Sequence, residues 1–247
     1  MNRGRTVVVL AVLVLAGCQG PSAVPETVTP APVPTASGAV SVDAERVAAA
    51  HRAALSNRSY TTTVALTVTY ENGSTARLTD EFVVGADGTY SYERRARGPY
   101  PQAVSNRSLW QNDSYEFTRT AENGSETVTS RSRSGFDDVS LSGFLGNLLG
   151  GFDRTAERTG GQTVVSGRQD GARGVPLPAR LGIGRDAGLN AVIRGDIVRT
   201  VTVTARAAYP DIDQSVDVRL RVSVRRVGES DPVRPAWAAA SNATETG

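Results

Sequence analysis

Residues 60–84 read YTTTVALTVTYENGSTARLTDEFVV, and the fold class follows from this stretch. Tyr60, Thr62, Val64, Leu66, Val68 and Tyr70 alternate with Thr61, Thr63, Ala65, Thr67 and Thr69. In an extended chain that period of two puts one set on an apolar face and the other on a polar face. Asn72-Gly73 follows at once and tolerates the positive φ angles of a tight hairpin turn. The chain is therefore expected to return antiparallel through Ala76, Leu78, Phe82 and Val84.

The same signal extends in both directions along the chain. Gly85 to Gly88 marks another turn, Tyr90 and Tyr92 begin a third strand, and further strands are expected over 108–111, 114–120 and 126–132. Glu-Asn-Gly-Ser recurs at 122–125, which reads as hairpin chemistry used twice. Near the C-terminus, Leu189 to Ile193 and Ile197 to Ala205 flank a turn at Arg194-Gly195-Asp196. Val216, Val218, Leu220, Val222 and Val224 then alternate with Asp217, Arg219, Arg221, Ser223 and Arg225. Strands with one buried and one wet face are the mark of antiparallel sheets. Upstream, Asp43 and Glu45 suit the first turn of a helix that Ser41 can cap, with Val47, His51, Ala54 and Leu55 on one stripe before Asn57. The expected fold is α+β and mainly antiparallel β: a strongly curved sheet, or half-barrel, with helices packed on one side.

One segment breaks the period. Residues 136–152 read FDDVSLSGFLGNLLGGF and place Phe144, Leu145, Leu148, Leu149 and Phe152 at helical spacing among four glycines. Each glycine inside a helix costs about 1 kcal/mol against alanine. Such a helix is either a plug held by packing or an element that moves, as a lid over an apolar cavity or a segment dipping into lipid.

The N-terminus carries the most specific motif. Arg3 and Arg5 precede an apolar run from Thr6 to Ala16, and Leu15-Ala16-Gly17 leads into Cys18, the only cysteine; the run Leu15-Ala16-Gly17-Cys18 resembles a lipobox, the signal at which secretory precursors are lipidated on cysteine and cut just before it. That layout is a secretory signal, too short for the about 20 apolar residues of a membrane span. With one cysteine there is no intrachain disulfide. Residues 18–40 are rich in Pro, Ala and Thr and read as a tether, reaching roughly 70 Å if fully extended. The domain boundaries follow: 1–17 signal peptide, 18–40 lipidated cysteine and tether, 41–237 one β-rich domain, 238–247 a disordered tail. Of 27 basic residues, all arginine, Arg3 and Arg5 leave with the signal, so 25 remain against 25 acidic residues. A neutral chain with scattered arginines gives no reason to expect a nucleic-acid partner.

Six of the nine asparagines stand in Asn-X-Ser/Thr: Asn57, Asn72, Asn106, Asn112, Asn123 and Asn242. Serine and threonine supply 45 of 247 residues, so chance gives roughly two, and these six are expected glycosylation sites of an exported protein. Turn chemistry accounts for part of the excess, since Asn-Gly-Ser is also a favoured turn. Catalytic signals are few. His51, the single histidine, lies on an apolar stripe, and no Gly-X-Ser-X-Gly elbow accompanies it. One histidine and a lipidated cysteine exclude the common zinc sets, and Asp137-Asp138 and Asp211-Ile212-Asp213 lack calcium-loop spacing. Gly182-Ile183-Gly184 lacks the third glycine of a phosphate loop. No enzyme, cofactor or metal site is expected.

The lipobox, the tether, the helix with His51 and Leu55 before Ser59-Tyr60-Thr61, the sequon-rich hairpins and the closing Val233-Arg234-Pro235-Ala236-Trp237 together resemble uncharacterised surface lipoproteins of haloarchaea. Those in turn resemble LolA-like and mycobacterial lipid-carrier lipoproteins. The resemblance implies lipidation at Cys18, attachment to the extracytoplasmic face of the cell membrane, and a half-barrel that holds an acyl chain against helices. The neutral mature chain departs from the acidic surfaces usual in salt-loving archaea. Two functions follow. In one, Leu66, Val68, Phe82, Val84, Tyr90, Tyr92, Trp110, Phe144 and Leu148 line a cavity for an apolar, lipid-like ligand. In the other, the sheet is filled by its own side chains and the protein is a structural or adhesion component of the envelope.

Overall fold

The computed structural model describes residues 42–99, 106–122, 124–132, 139–169, 181, 185–209 and 214–240. The signal and tether with Cys18, the sequons at Asn123 and Asn242, the start of the 136–152 segment, and the pairs at 137–138, 182–184 and 211–213 lie outside them.

Helix α1 (Ala44–Leu55) opens the domain. Capping falls to Asp43, whose side chain accepts the Arg46 N–H at 3.1 Å. The helix stops at Asn57, which adopts a left-handed φ of 58°. Its buried stripe is Ala44, Ala48, His51 and Leu55, one residue per turn.

Eleven antiparallel strands follow: β1 (Tyr60–Tyr70), β2 (Thr75–Val84), β3 (Tyr90–Arg97), β4 (Asn106–Gln111), β5 (Tyr115–Glu122), β6 (Ser125–Ser132), β7 (Asp153–Thr159), β8 (Gln162–Arg168), β9 (Arg185–Arg194), β10 (Ile197–Tyr209) and β11 (Gln214–Arg225). They form one curved, unclosed sheet in the order β6-β5-β4-β3-β2-β1-β11-β10-β9-β8-β7. Each half is a run of neighbours in sequence, and the central pair β1–β11 joins the two ends of the domain, from Tyr70 beside Val216 to Thr61 beside Arg225. Sequence reading missed β7 and β8. In β7 only Ala156 is buried, so no apolar alternation marks it; the hairpin signal was Gly160-Gly161, both at positive φ.

The first hairpin turns by a different route from the one expected. Tyr70 and Ser74 are bonded across a three-residue loop, and of Asn72-Gly73 only Gly73 has positive φ, at 80°. A two-residue turn of the primed type needs positive φ at both central residues. Asn72 instead keeps negative φ, with its side-chain oxygen accepting the Ser74 N–H and hydroxyl at 2.9 and 2.7 Å.

Alternation assigns the sheet two faces. On the inner face, Leu66, Val68, Leu220, Val201 and Val203 pack with α1 and with helix α2 (Ser142–Gly150). Leu145, Leu148 and Leu149 of α2 are fully buried and Phe152 is 4% exposed, so the glycine-rich segment is a packed plug. Gly146 lies where helix meets helix: a Cβ there would stand 3.3 Å from that of Ala48.

Helices do not all share that side. The chain after β11 straps across the outer face, with the Gly228 N–H on the Ser59 carbonyl and Ser230 bonded to Thr61, and ends in α3 (Ala236–Ala240). Ala238 is fully buried against Trp110 and Phe117, so ordered packing reaches past residue 237, where a tail was expected. The Arg234 guanidinium lies 5.0 Å from the Trp110 ring and 5.3 Å from Phe117. Arg234 is exposed, and a cation over an aromatic ring at an exposed site is worth about 0.5–1 kcal/mol. Arg234→Ala is therefore expected to cost about 0.5–1 kcal/mol, read as a lower midpoint of thermal unfolding by fluorescence of the two tryptophans, Trp110 and Trp237.

Candidate functional site

His51 is fully buried, and both ring nitrogens hold backbone. Nδ1 accepts the Val198 N–H at 3.2 Å and Nε2 lies 3.2 Å from the Ser140 carbonyl oxygen. A nitrogen that accepts an N–H carries no proton, so Nε2 carries it and donates to Ser140. The neighbouring Arg52 Nε donates to the Ser142 hydroxyl at 2.8 Å. Together these contacts tie α1 to β10 and to the start of α2.

The half of the inner face beyond α2 is built differently, with Leu55 at the end of α1 and Val139 packed against part of it. Hairpin register sets Thr62, Phe82, Tyr92 and Leu109 side by side on β1 to β4, next to a second row of Tyr60, Val84, Tyr90 and Gln111. The Phe82 and Tyr92 rings stand 4.8 Å apart and remain partly exposed, while Val84, Tyr90 and Leu109 are buried. A polar lip borders this apolar floor on each side. On one, Asp80 accepts from the Tyr92 hydroxyl at 3.0 Å and from Arg94 at 2.8 and 2.9 Å. Burial and the Asp80 charge push the Tyr92 phenol well above its ordinary range, and the bond to Asp80 does the same for Arg94. On the other, buried Glu116 pairs with Arg131 at 2.9 Å. The Thr62 hydroxyl and the Gln111 amide nitrogen are buried on this face without a hydrogen-bond partner. An apolar floor between fixed charges suits an amphipathic molecule rather than proton transfer.

The nine residues expected around one cavity are distributed over three packed groups. Leu66, Val68 and Leu148 are 1, 0 and 0% exposed inside the main core, with Phe144 against it. Phe82, Val84, Tyr90 and Tyr92 share the floor just described. Trp110 is on the outer face: it lies opposite Ser91, whereas its neighbour Leu109 lies opposite Tyr92. Three open grooves border the helices, of about 530, 460 and 730 Å³. Val84 alone of the nine lines one of them, together with Arg52, Tyr60 and Asp87. Hydrogen bonds from the Thr89 N–H and hydroxyl hold the Asp87 carboxyl below its ordinary range. The Asp80–Arg94 lip was not read from the sequence; the signal available was the hairpin register, which puts Asp80 opposite Arg94.

Four sequons fall on described residues. Asn57 and Asn72 are exposed in turns. Asn106 is also exposed, and its side-chain oxygen accepts the Ala96 N–H. Asn112 uses its oxygen for the N–H groups of Ser114 and Tyr115.

No protein-family model matches the chain, and no curated protein matches it. Among solved structures, it is similar to LprF from Mycobacterium bovis, with 16% identity over 80% of this chain and 97% of that one, at a TM-score of 0.36. It is also similar to the LolA superfamily protein NE2245 from Nitrosomonas europaea, with 7% identity over 78% and 96% of the two chains, at a TM-score of 0.28.

Proposed function

We propose that this chain is a lipoprotein of the extracytoplasmic membrane face, anchored through Cys18, that binds an apolar, lipid-like ligand without catalysing a reaction. The supporting observation is the floor of β1 to β4, where Phe82 and Tyr92 stay partly exposed between the Asp80–Arg94 and Glu116–Arg131 pairs. An acyl chain would lie on the paired Phe82 and Tyr92 rings, and an anionic headgroup would meet Arg94 or Arg107, which face each other across β3 and β4. Glycans on the exposed sequons suit a surface position.

A second reading, a structural or adhesion component of the envelope, is favoured by α2: the part of the inner face beneath it is already filled by Leu145, Leu148 and Leu149. Native mass spectrometry of protein extracted from its own membrane separates the two. A stoichiometric lipid beyond the covalent anchor supports the carrier, and protein free of such lipid supports the structural component. The anchor has its own test. Cys18→Ser is expected to leave an uncut precursor or to release the protein into the soluble fraction; mature protein still held in the membrane fraction refutes lipidation.

A further inference from the structure

The outer face carries a block of arginines that none of the preceding features uses. Alternation points Arg77 of β2, Arg95 and Arg97 of β3, and Arg219 and Arg221 of β11 to this face, and all five are exposed. Arg77 lies directly opposite Arg97 in the β2–β3 register, and Arg219 reaches Arg77 across Thr67 of β1. At about 4.8 Å per strand the block is roughly 15 Å wide. Like charges directly opposite one another on neighbouring strands destabilise a sheet, so folding alone does not account for the Arg77–Arg97 pair.

Compensation by acids is confined to the margins. Arg95 pairs with Glu93 at 2.5 Å, Asp217 lies opposite Arg206, and Glu81 is one row away. Among the described residues no ion pair involves Arg77, Arg97, Arg219 or Arg221. The strap from residue 226 to α3 crosses the opposite end of the face, over Ser59, Thr61 and Trp110. A shallow groove at the β3 edge of the block is lined by Arg94, Arg95, Arg97 and Arg119 with Glu93 and Glu126, so the positive surface continues toward β4 and β5 with two carboxylates set into it.

We infer that this arginine block docks the domain onto an anionic lipid surface through phosphate headgroups. Guanidinium forks bind phosphate oxygens in pairs, and a face of fixed strands presents several forks together. The choice of a membrane over a soluble polyanion rests on the anchored reading of Cys18; the binding experiment does not.

The test uses the full chain carrying Cys18→Ser, floated with phosphatidylcholine vesicles that contain or lack about one-third phosphatidylglycerol. A second protein adds Arg77→Glu, Arg97→Glu and Arg219→Glu. Both keep the same leader, so any difference between them comes from the arginines. A surface arginine near an anionic membrane contributes about fivefold in binding, so the triple variant is expected to bind anionic vesicles on the order of a hundredfold more weakly. Parent binding is also expected to fade toward about 1 M salt, where the screening length is about 3 Å. Circular dichroism checks that the variants fold; if the reversed charges lower the unfolding midpoint, the Arg→Gln triple takes their place. The proposal is overturned by equal binding of parent and variant to anionic vesicles, by parent binding indifferent to phosphatidylglycerol, or by a sulfated polysaccharide that captures the parent in preference to vesicles. Failure of the Cys18 release test leaves these outcomes readable, so the two ideas fail separately.

Discussion

Leu148→Ala is expected to destabilise the domain by about 3–4 kcal/mol, a fall of roughly 7–14 °C in the thermal midpoint for a domain of this size. Leu148 is 0% exposed and packs with Leu145, Leu149 and the β-strand residues of the main core. Its loss leaves a cavity that the sheet beneath cannot collapse to fill, because Leu66, Val68 and Leu220 are fixed by strand pairing on both sides. The result discriminates between uses of α2. A lid resting loosely over a pocket would lose under about 1 kcal/mol, since its leucines would be partly hydrated in the open state. An opposite-sign control lies in the same helix. A Cβ at Gly143 would meet nothing within 4 Å, so Gly143→Ala is expected to raise stability by up to about 1 kcal/mol through helix propensity.

His51→Phe is expected to cost about 2–4 kcal/mol despite keeping the side-chain volume, and His51→Ala at least as much. The reason is the asymmetry of buried hydrogen bonds: removing one partner leaves a backbone group unpaired, at about 1–3 kcal/mol each. Here two groups lose their partner at once, the Val198 N–H and the Ser140 carbonyl. Urea unfolding gives the magnitude, and hydrogen exchange at the Val198 amide gives the mechanism, because that proton should exchange faster by more than the loss of global stability accounts for, also in a background where Gly143→Ala recovers part of that loss. A slow Val198 amide in the phenylalanine variant would refute this account. An intact bond from Arg52 to Ser142 keeps the α1–α2 contact in register, which is why destabilisation rather than unfolding is expected.

Individual elements show how far the sequence could be read. β1, β2 and β11 were legible because each is long and carries its large apolar residues on a single face, so that Leu66, Val68, Leu78, Leu220 and Val222 fall at a strict period of two. β7 and β8 were not, because a short hairpin near the sheet edge with one buried alanine leaves no periodic trace. α2 announced itself by its leucines, but whether it fills or covers a cavity depends on the separation between helix and sheet, which no local pattern encodes. Trp110 shows the same limit at one residue. Its apolar character put it in a core, and only register decided which one: one position along β4 separates the inner face of Leu109 from the outer face of Trp110.

The candidate site was legible in parts. Phe82, Val84, Tyr90 and Tyr92 could be grouped because they stand in adjacent hairpin strands of known turn position. The lip formed by Asp80 and Arg94 joins residues 14 apart in sequence, and the Glu116–Arg131 pair closes a later hairpin; both need the register. Arg77, Arg97, Arg219 and Arg221 read as scattered charges along the chain, and the outer-face block exists only once β11, β1, β2 and β3 lie side by side.

The sequence by itself determined an antiparallel sheet with one apolar face and an opening helix before it, because strand alternation and helical spacing are local properties; the cap it pointed to was Ser41, and the structure gives that place to Asp43. Tertiary structure alone decided that α2 fills one half of the inner face and leaves Phe82 and Tyr92 partly exposed on the other, that α3 returns to the outer face, and that His51 holds backbone. Those outcomes depend on contacts between segments 80 or more residues apart, such as His51 with Ser140 and Val198, whose energies arise only when the strands between them have set the distance.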